Sequence, residues 1–435
     1  MFLIIDGVEG GTMRHPLVVS LILLMFAAGG SQAITEARRV PPPSVAIAVA
    51  PAPGSVRARP DRHVRVTAAK GTLTSVRVSV GGVRVPGRFD RARRAWRSSW
   101  TLVPGASYVV SAAASPVRPG DRPAALVATF HTRPAPRAFG VQEAVPSPGE
   151  TVGVGMPIIL TFTTPVRHRA AVERALEVRA SRTPHYSSPG LDDDVPGLRP
   201  DADGDVPGAT APAGRRVEGA WRWLGESQVV YRPRALWPAR RRVTLTAHLA
   251  GVHAAPRTYG TADHTLRFSI GRRQTSVVNT RTHQMRVLRD GRLVQRMAIS
   301  AGKGSTREYT TTSGVHLTMD KGDPVRMVSP GRHKGQPGYY DRMIDHAVRI
   351  SNSGEYVHAL GNVWAQGRIN VSHGCVNARP DQAKWFFDHS LRGDPVTVTG
   401  TDRPLEWWNG WGFWQLPWPQ WRQGSALHPP SPRAG

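Results

Sequence analysis

The run VRVSVGGVRV, residues 76–85, alternates Val76, Val78 and Val80 with polar residues, turns on Gly81-Gly82 and resumes with Val83 and Val85. A period of two sends successive side chains to opposite faces of a strand, and paired glycines accept the left-handed angles of a tight hairpin turn. The reading is a two-sided β-hairpin. SYVVSAAAS and ALVATFHT add strands beyond it, and RPAPRAF closes the block near residue 138. Residues 45–138 are expected to form a compact antiparallel sandwich.

A second block, 139–271, repeats the theme. MPIILTFTTPV is a largely apolar strand; Val243, Leu245, Ala247 and Leu249 alternate, as do Leu266, Phe268 and Ile270. Near 183–214 lies an insert with six aspartates, many Gly and Pro and almost no large apolar residue, which cannot bury enough surface to fold and is expected to be disordered. Its Asp spacing only faintly suggests a calcium loop, since Pro interrupts it and the terminal Glu is missing. A third block, 272–400, opens with MRVLRDGRLVQRMAIS, where Asp290-Gly291 makes another tight turn, and continues through strands at GVHLTM, AVRISN, EYVHAL and PVTVTG. One helix is legible in RPDQAKWFFDHSLRG: Pro380 suits the first helical position, Ala383, Phe386, Phe387 and Leu391 share a face, and Gly393 suits the stop. Residues 401–425 carry six of the thirteen tryptophans, and their irregular spacing among Gly and Pro favours packing against a neighbouring domain over sugar stacking. Residues 426–435 are expected to be a disordered tail.

The ends and the composition bound the compartment. Residues 13–33 have a basic start at Arg14, an apolar run from Leu17 to Ala28, and small residues at Ser31 and Ala33, the pattern of a signal peptide spanning residues 1–33. An apolar run of that length is short for a membrane span, which needs about 20 residues. Residues 34–44, with three consecutive prolines, read as a linker. The net charge of +26 favours anionic surroundings such as a cell envelope. Nucleic acid is not expected as a partner, because the arginines are scattered over strand-like segments and form no recognisable module.

An exported chain of 435 residues with one cysteine has no internal disulfide. That cysteine, Cys375, sits in INVSHGCVN, residues 369–377, between a short apolar strand and the helix that starts at Pro380. Gly374 lets the backbone approach a ligand closely, and such a turn can aim successive N–H groups at one spot, as an oxyanion hole requires. A free thiol near pKa 8.5 is only a few per cent thiolate at neutral pH, so a nucleophilic cysteine needs a base. Two histidines compete. His373 is two residues away and can instead brace the turn through backbone bonds; His358 lies on a preceding strand and could face the sulfur across the sheet. No metal is expected, because His358, His373 and Cys375 lack a spaced fourth ligand. Ser372 lacks the flanking glycines of a serine nucleophile.

At this point the residues resemble a known family. YVHALGNVWAQGRINVSHGCVN is similar to the signature of L,D-transpeptidases, with His358, Ser372, His373, Gly374, Cys375, Val376 and Asn377 in the matching places. The gap between His358 and Ser372 is at the short edge of the family's range, so the loop around Gly361 to Gly367 is expected to be trimmed. VGVGMPIILTF, EGAWRWL, VVYRPRALWPA and AVRISNSGEYVHA resemble the actinobacterial type, which carries two immunoglobulin-like domains before the catalytic one and a Trp-rich C-terminal piece; the acidic insert departs from it.

The resemblance implies a mainly β chain with a short helix after the catalytic Cys. It makes Cys375 the nucleophile and His358 the base, oriented by the Ala359 carbonyl. Gly374 and Cys375 would lend their N–H groups as the oxyanion hole, His373, Ser372 and Asn377 would brace the turn, and Tyr339 or Tyr340 would belong to a substrate lid. It implies acyl transfer on peptidoglycan stem peptides without a cofactor: a donor tetrapeptide loses D-Ala, a diaminopimelate amine accepts, and carbapenem-type β-lactams inhibit. Two rivals stay open from the residues: an L,D-carboxypeptidase in which water resolves the same thioester, and a non-catalytic wall-binding protein, which would need Cys375 inert or paired.

Overall fold

The computed structural model describes residues 45–182, 215–329, 331–361 and 363–428. The expected signal, linker and acidic insert lie outside them.

The first sandwich faces two four-stranded sheets. One has the order Ala46–Ala50, Arg65–Ala69, Ala95–Ser98, Gly87–Phe89; the other Val83–Arg84, Gly71–Val80, Ser107–Pro116, Ala124–His131. Leu73, Val78, Trp96, Leu102, Tyr108 and Phe130 fill the space between. Leu73 and Val76 both point inward although three residues apart, because the register shifts between Leu73 and Ser75; a bulge restores the side-chain phase. The opening hairpin is present, with Gly81 at φ 53° and Gly82 at φ 78°. Its second strand is shorter than the alternation suggests. It pairs only over Val83–Arg84, Val83 is exposed, and the chain then crosses to the other sheet.

The second sandwich packs Val141–Val145, Ile158–Phe162, Gln228–Pro233 and Gly219–Leu224 against a five-stranded sheet containing His264–Ile270, Arg241–Ala247 and Leu176–Arg182. Trp237, Phe162 and Phe268 anchor its core. The connection between the sandwiches is itself a strand: Arg137–Phe139 runs parallel to Thr258–Gly260.

The third region is a nine-stranded sheet in the order Gly314–Leu317, Pro395–Thr399, Gln274–Asn279, Gln284–Arg289, Arg292–Ser300, Val376–Ala378, Tyr356–Ala359, Ala347–Arg349, Lys321–Gly322. Asp290 and Gly291 turn one hairpin with φ 50° and 84°. The helix Pro380–His389 lies against Tyr356–Ala359 and buries Ala383 and Phe386. It stops before Leu391 and Gly393, because Ser390 turns extended and its hydroxyl bonds Phe386 O. Gly393 serves a different contact: at φ 87° it lies so close to Met156 that a Cβ would come within 2.7 Å of the Met156 side chain.

That contact belongs to the seam between the second sandwich and the nine-stranded sheet. Gly155 N–H donates to Gly393 O, and Arg392 pairs with Glu150. The Trp-rich segment straps the seam. Trp414 donates to Gly155 O, Trp421 is fully buried and donates to Ala220 O, and Arg232 lies among the rings of Trp414, Trp418 and Trp421. Packing is thus what these tryptophans do, while Trp408 stays exposed. The placed chain also runs past 425, because buried Glu173 accepts from Ser425 Oγ and from Ala426 N–H. No helix among the described residues is long and apolar enough to cross a membrane.

Candidate active site

Two neighbouring strands build the site. Tyr356–Ala359 and Val376–Ala378 run parallel in the middle of the nine-stranded sheet, with His358 opposite Asn377. The turn Ser372–Cys375 enters the second of them. Gly374 sits at φ 130°, a conformation side chains rarely adopt, and its carbonyl accepts from Thr311 Oγ1 at 2.8 Å. Ser372 clasps the turn at both ends: its Oγ accepts from Gly374 N–H at 3.1 Å and donates to Cys375 O at 2.6 Å.

This clasp corrects one expectation. The Gly374 N–H, expected as an oxyanion donor, is already taken by Ser372. The Cys375 N–H makes no turn or side-chain hydrogen bond among the described residues. It is the donor left for a developing oxyanion. Ser372→Ala is expected to cost about 1–3 kcal/mol of stability by leaving buried backbone groups unpaired, read as a lower urea midpoint, and to slow acylation of Cys375. An unchanged midpoint and rate would show the clasp to be idle.

The two histidines separate clearly. His358 is buried, and its Nδ1 lies 2.9 Å from Ala359 O. A carbonyl only accepts, so Nδ1 carries the proton and Nε2 is left as the basic nitrogen. Burial lowers its pKa, so the ring is neutral at neutral pH. His373 is exposed and, among the described residues, makes none of the backbone bonds expected to brace the turn. Its ring instead contacts Tyr309 and Tyr340, with centroids 4.5 and 5.3 Å away.

Cys375 is a free thiol. Its Sγ donates a weak hydrogen bond to Gly354 O at 3.5 Å, and no hydrogen bond among the described residues joins it to His358. Burial pushes the thiol up to about 12, with Tyr356 N–H acting against this and the Glu355 charge adding to it. The resting pair is therefore a thiol and a neutral imidazole, without an ion pair. No group of three or more His, Cys, Asp or Glu among the described residues could hold a metal.

Cys375 opens onto two cavities. The larger, about 300 Å³, is shared with His358, Asn377, Ser372, Met327 and Arg342; the smaller, about 120 Å³, with Glu308, Arg332, Ser353 and Glu355. Tyr340 and His373 line both. The roof is a hairpin absent from the sequence reading, Val325–Val328 paired with Asp341–Ile344. Its signal was legible in PVRMV and YDRMID, two strand-like runs flanking a Gly/Pro-rich loop. Of the two candidate tyrosines, Tyr340 lines both cavities beside Cys375, whereas Tyr339 lines neither.

Residues 273–398 match the model of the L,D-transpeptidase catalytic domain, and residues 55–200 and 210–253 match that of the bacterial Ig domain. L,D-transpeptidase 5 of Mycobacterium tuberculosis is 30% identical over 420 residues, spanning 94% of this chain and 83% of its own. L,D-transpeptidase 2 of the same species is 31% identical over 378 residues, spanning 86% and 83%. A solved L,D-transpeptidase in complex with imipenem is 30% identical, covering 60% of this chain and 99% of its own with a TM-score of 0.45.

Proposed function

This chain belongs to the L,D-transpeptidase family, enzymes that cross-link peptidoglycan, and we propose that it does so through a Cys375 thioester with His358 as the base. The observation that carries the assignment is one cavity holding a lone thiol and a buried neutral imidazole whose free nitrogen is selected by Ala359 O.

The donor is a stem tetrapeptide. Cys375 Sγ attacks the carbonyl between the L-centre of diaminopimelate and the terminal D-Ala. His358 Nε2 takes the thiol proton as the S–C bond forms and returns it to the departing D-Ala amine as the C–N bond breaks. The oxyanion formed in between is met by the Cys375 N–H, a donor held ready in the turn. The side-chain amine of a second stem then attacks the thioester, leaving a 3→3 cross-link and a free thiol. Tyr340, on the roof, bounds both approaches to the sulfur. A thiol held neutral at rest reacts only as His358 takes its proton while the sulfur closes on a bound carbonyl carbon.

We place the enzyme outside the cytoplasmic membrane on the pattern of residues 13–33, where its charge of +26 suits an anionic envelope. The segments 45–138 and 139–271 act as a stalk for a catalytic domain at 272–400. Carbapenem-type β-lactams are the matching inhibitors, since their strained carbonyl presents the same electrophile to Cys375.

Mass spectrometry of a disaccharide-tetrapeptide incubated with the protein tests the reading. The expected product is a dimer that has lost one D-Ala. Tripeptide alone, with D-Ala released, would instead assign an L,D-carboxypeptidase; neither product from folded protein would assign a wall-binding role.

A further inference from the structure

The smaller cavity holds a carboxylate that the thioester chemistry leaves without a task. Glu355 is only 4% exposed, yet it lines this cavity beside Gly354, His373 and Cys375. One carboxylate oxygen accepts from Thr312 N–H and the other from Thr312 O–H, both at 2.7 Å. Both donors are neutral, and among the described residues no Lys, Arg or His nitrogen lies within 4.0 Å of it. The other acid of that cavity, Glu308, is exposed and already paired with Arg332 at 3.0 Å. A buried carboxylate without a cation is expensive, and nearby space that admits a cation is the simplest relief. The two sides of the sulfur differ in their acids: the larger cavity has no Asp or Glu in its wall and offers Arg342, whereas the smaller sets Glu355 beside the Glu308–Arg332 pair and an Arg403 whose Nη1 is spent on the carbonyls of Arg307, Glu308 and Thr310.

Resting on the thioester reading, we propose that Glu355 selects the acceptor: its carboxylate draws an alkyl ammonium into the smaller cavity and takes the first proton, so that an amine, in preference to water, resolves the acyl-enzyme. In that step the ammonium gives one proton to Glu355, which passes it to solvent. The freed nitrogen forms the N–C bond, the C–S bond breaks, and a second proton from that nitrogen moves through His358 to the sulfur. The products are an amide, the thiol and one proton in water. Glu355 and Cys375 line the same cavity, so both face one reacting centre.

Glu355→Gln separates this role from a structural one, because the amide keeps the shape and can still hydrogen-bond Thr312. The full chain is incubated with a tetrapeptide donor and a graded stem tripeptide bearing a free diaminopimelate amine, and dimer, hydrolysed tripeptide and D-Ala are quantified alongside acylation by imipenem. The expected result is D-Ala release and imipenem acylation within about twofold of the parent, with the dimer-to-tripeptide ratio lower by about tenfold or more, the scale of one lost charge-assisted contact. Glu355→Asp, which keeps the charge, recovers part of the ratio. A ratio unchanged in folded Glu355→Gln overturns the proposal. So does a parallel fall in acylation and cross-linking, which would make Glu355 a prop for the Thr312 segment. A parent protein that neither releases D-Ala nor is acylated would overturn the thioester reading itself, a result distinct from both.

Discussion

Cys375→Ala eliminates cross-linking, D-Ala release and acylation by imipenem together, while thermal unfolding is nearly unchanged. Every covalent step runs through this one sulfur, and removal of a nucleophile from a comparable catalytic unit costs about 10⁶ in turnover. The side chain is half-buried and gives up only a weak bond to Gly354 O, so its loss leaves the packing of Val376 and Ala378 in place. The parent thiol carries a second signature. With its pKa pushed up to about 12, it is almost wholly protonated at neutral pH, and alkylation by iodoacetamide should be slow there and climb about tenfold per pH unit toward that value. Fast alkylation at pH 7 would mean that the resting site holds a thiolate, contrary to the geometry; residual dimer with the alanine variant would remove Cys375 from the chemistry.

His358→Asn lowers single-turnover acylation by about 10²–10⁴, the range expected when a positioned base is removed. An asparagine amide can still donate to Ala359 O, so orientation and fold are preserved while the basic nitrogen is lost. The pH profile gives the sign. Burial lowers the His358 pKa below the usual 6.5, so the neutral, proton-accepting ring persists to lower pH than in an ordinary histidine. Parent activity should fall on the acid side only as pH drops through that depressed value, and the variant should lack this limb. An acid limb above 6.5, or one retained in the variant, would point to another base. His373, exposed and nearer in sequence, is then the residue to replace.

Much of the fold was legible because its signals are local. Alternation over Val76–Val80, the glycine turn after it and the Asp290-Gly291 turn need only neighbours in the chain to act. The illegible parts depend on distant partners. The alternation resumes at Val83 and Val85, yet the chain leaves for the opposite sheet after Arg84 and Val83 faces solvent. Leu391 matched the helix face, but the helix ends at His389 because the Ser390 hydroxyl bonds Phe386 O. Arg232 could not be read as the centre of a tryptophan cage, since its rings arrive from residues 414–421.

The site divides the same way. From residues alone came the lone thiol, a glycine in its turn and the remote histidine, and from the family resemblance the Ala359 carbonyl expected to orient it. These are properties of one short motif, and their chemistry is intrinsic to residue type. Only the tertiary structure showed that His358 is buried and His373 exposed against Tyr309 and Tyr340, and that Tyr340, unlike Tyr339, lines both cavities onto which Cys375 opens. It also decided that Ser372 occupies the Gly374 N–H, that burial pushes the resting thiol's pKa up, and that Glu355, bonded to Thr312, has no cationic partner among the described residues. Burial and pairing depend on which strands lie side by side and in what register, and local sequence carries neither.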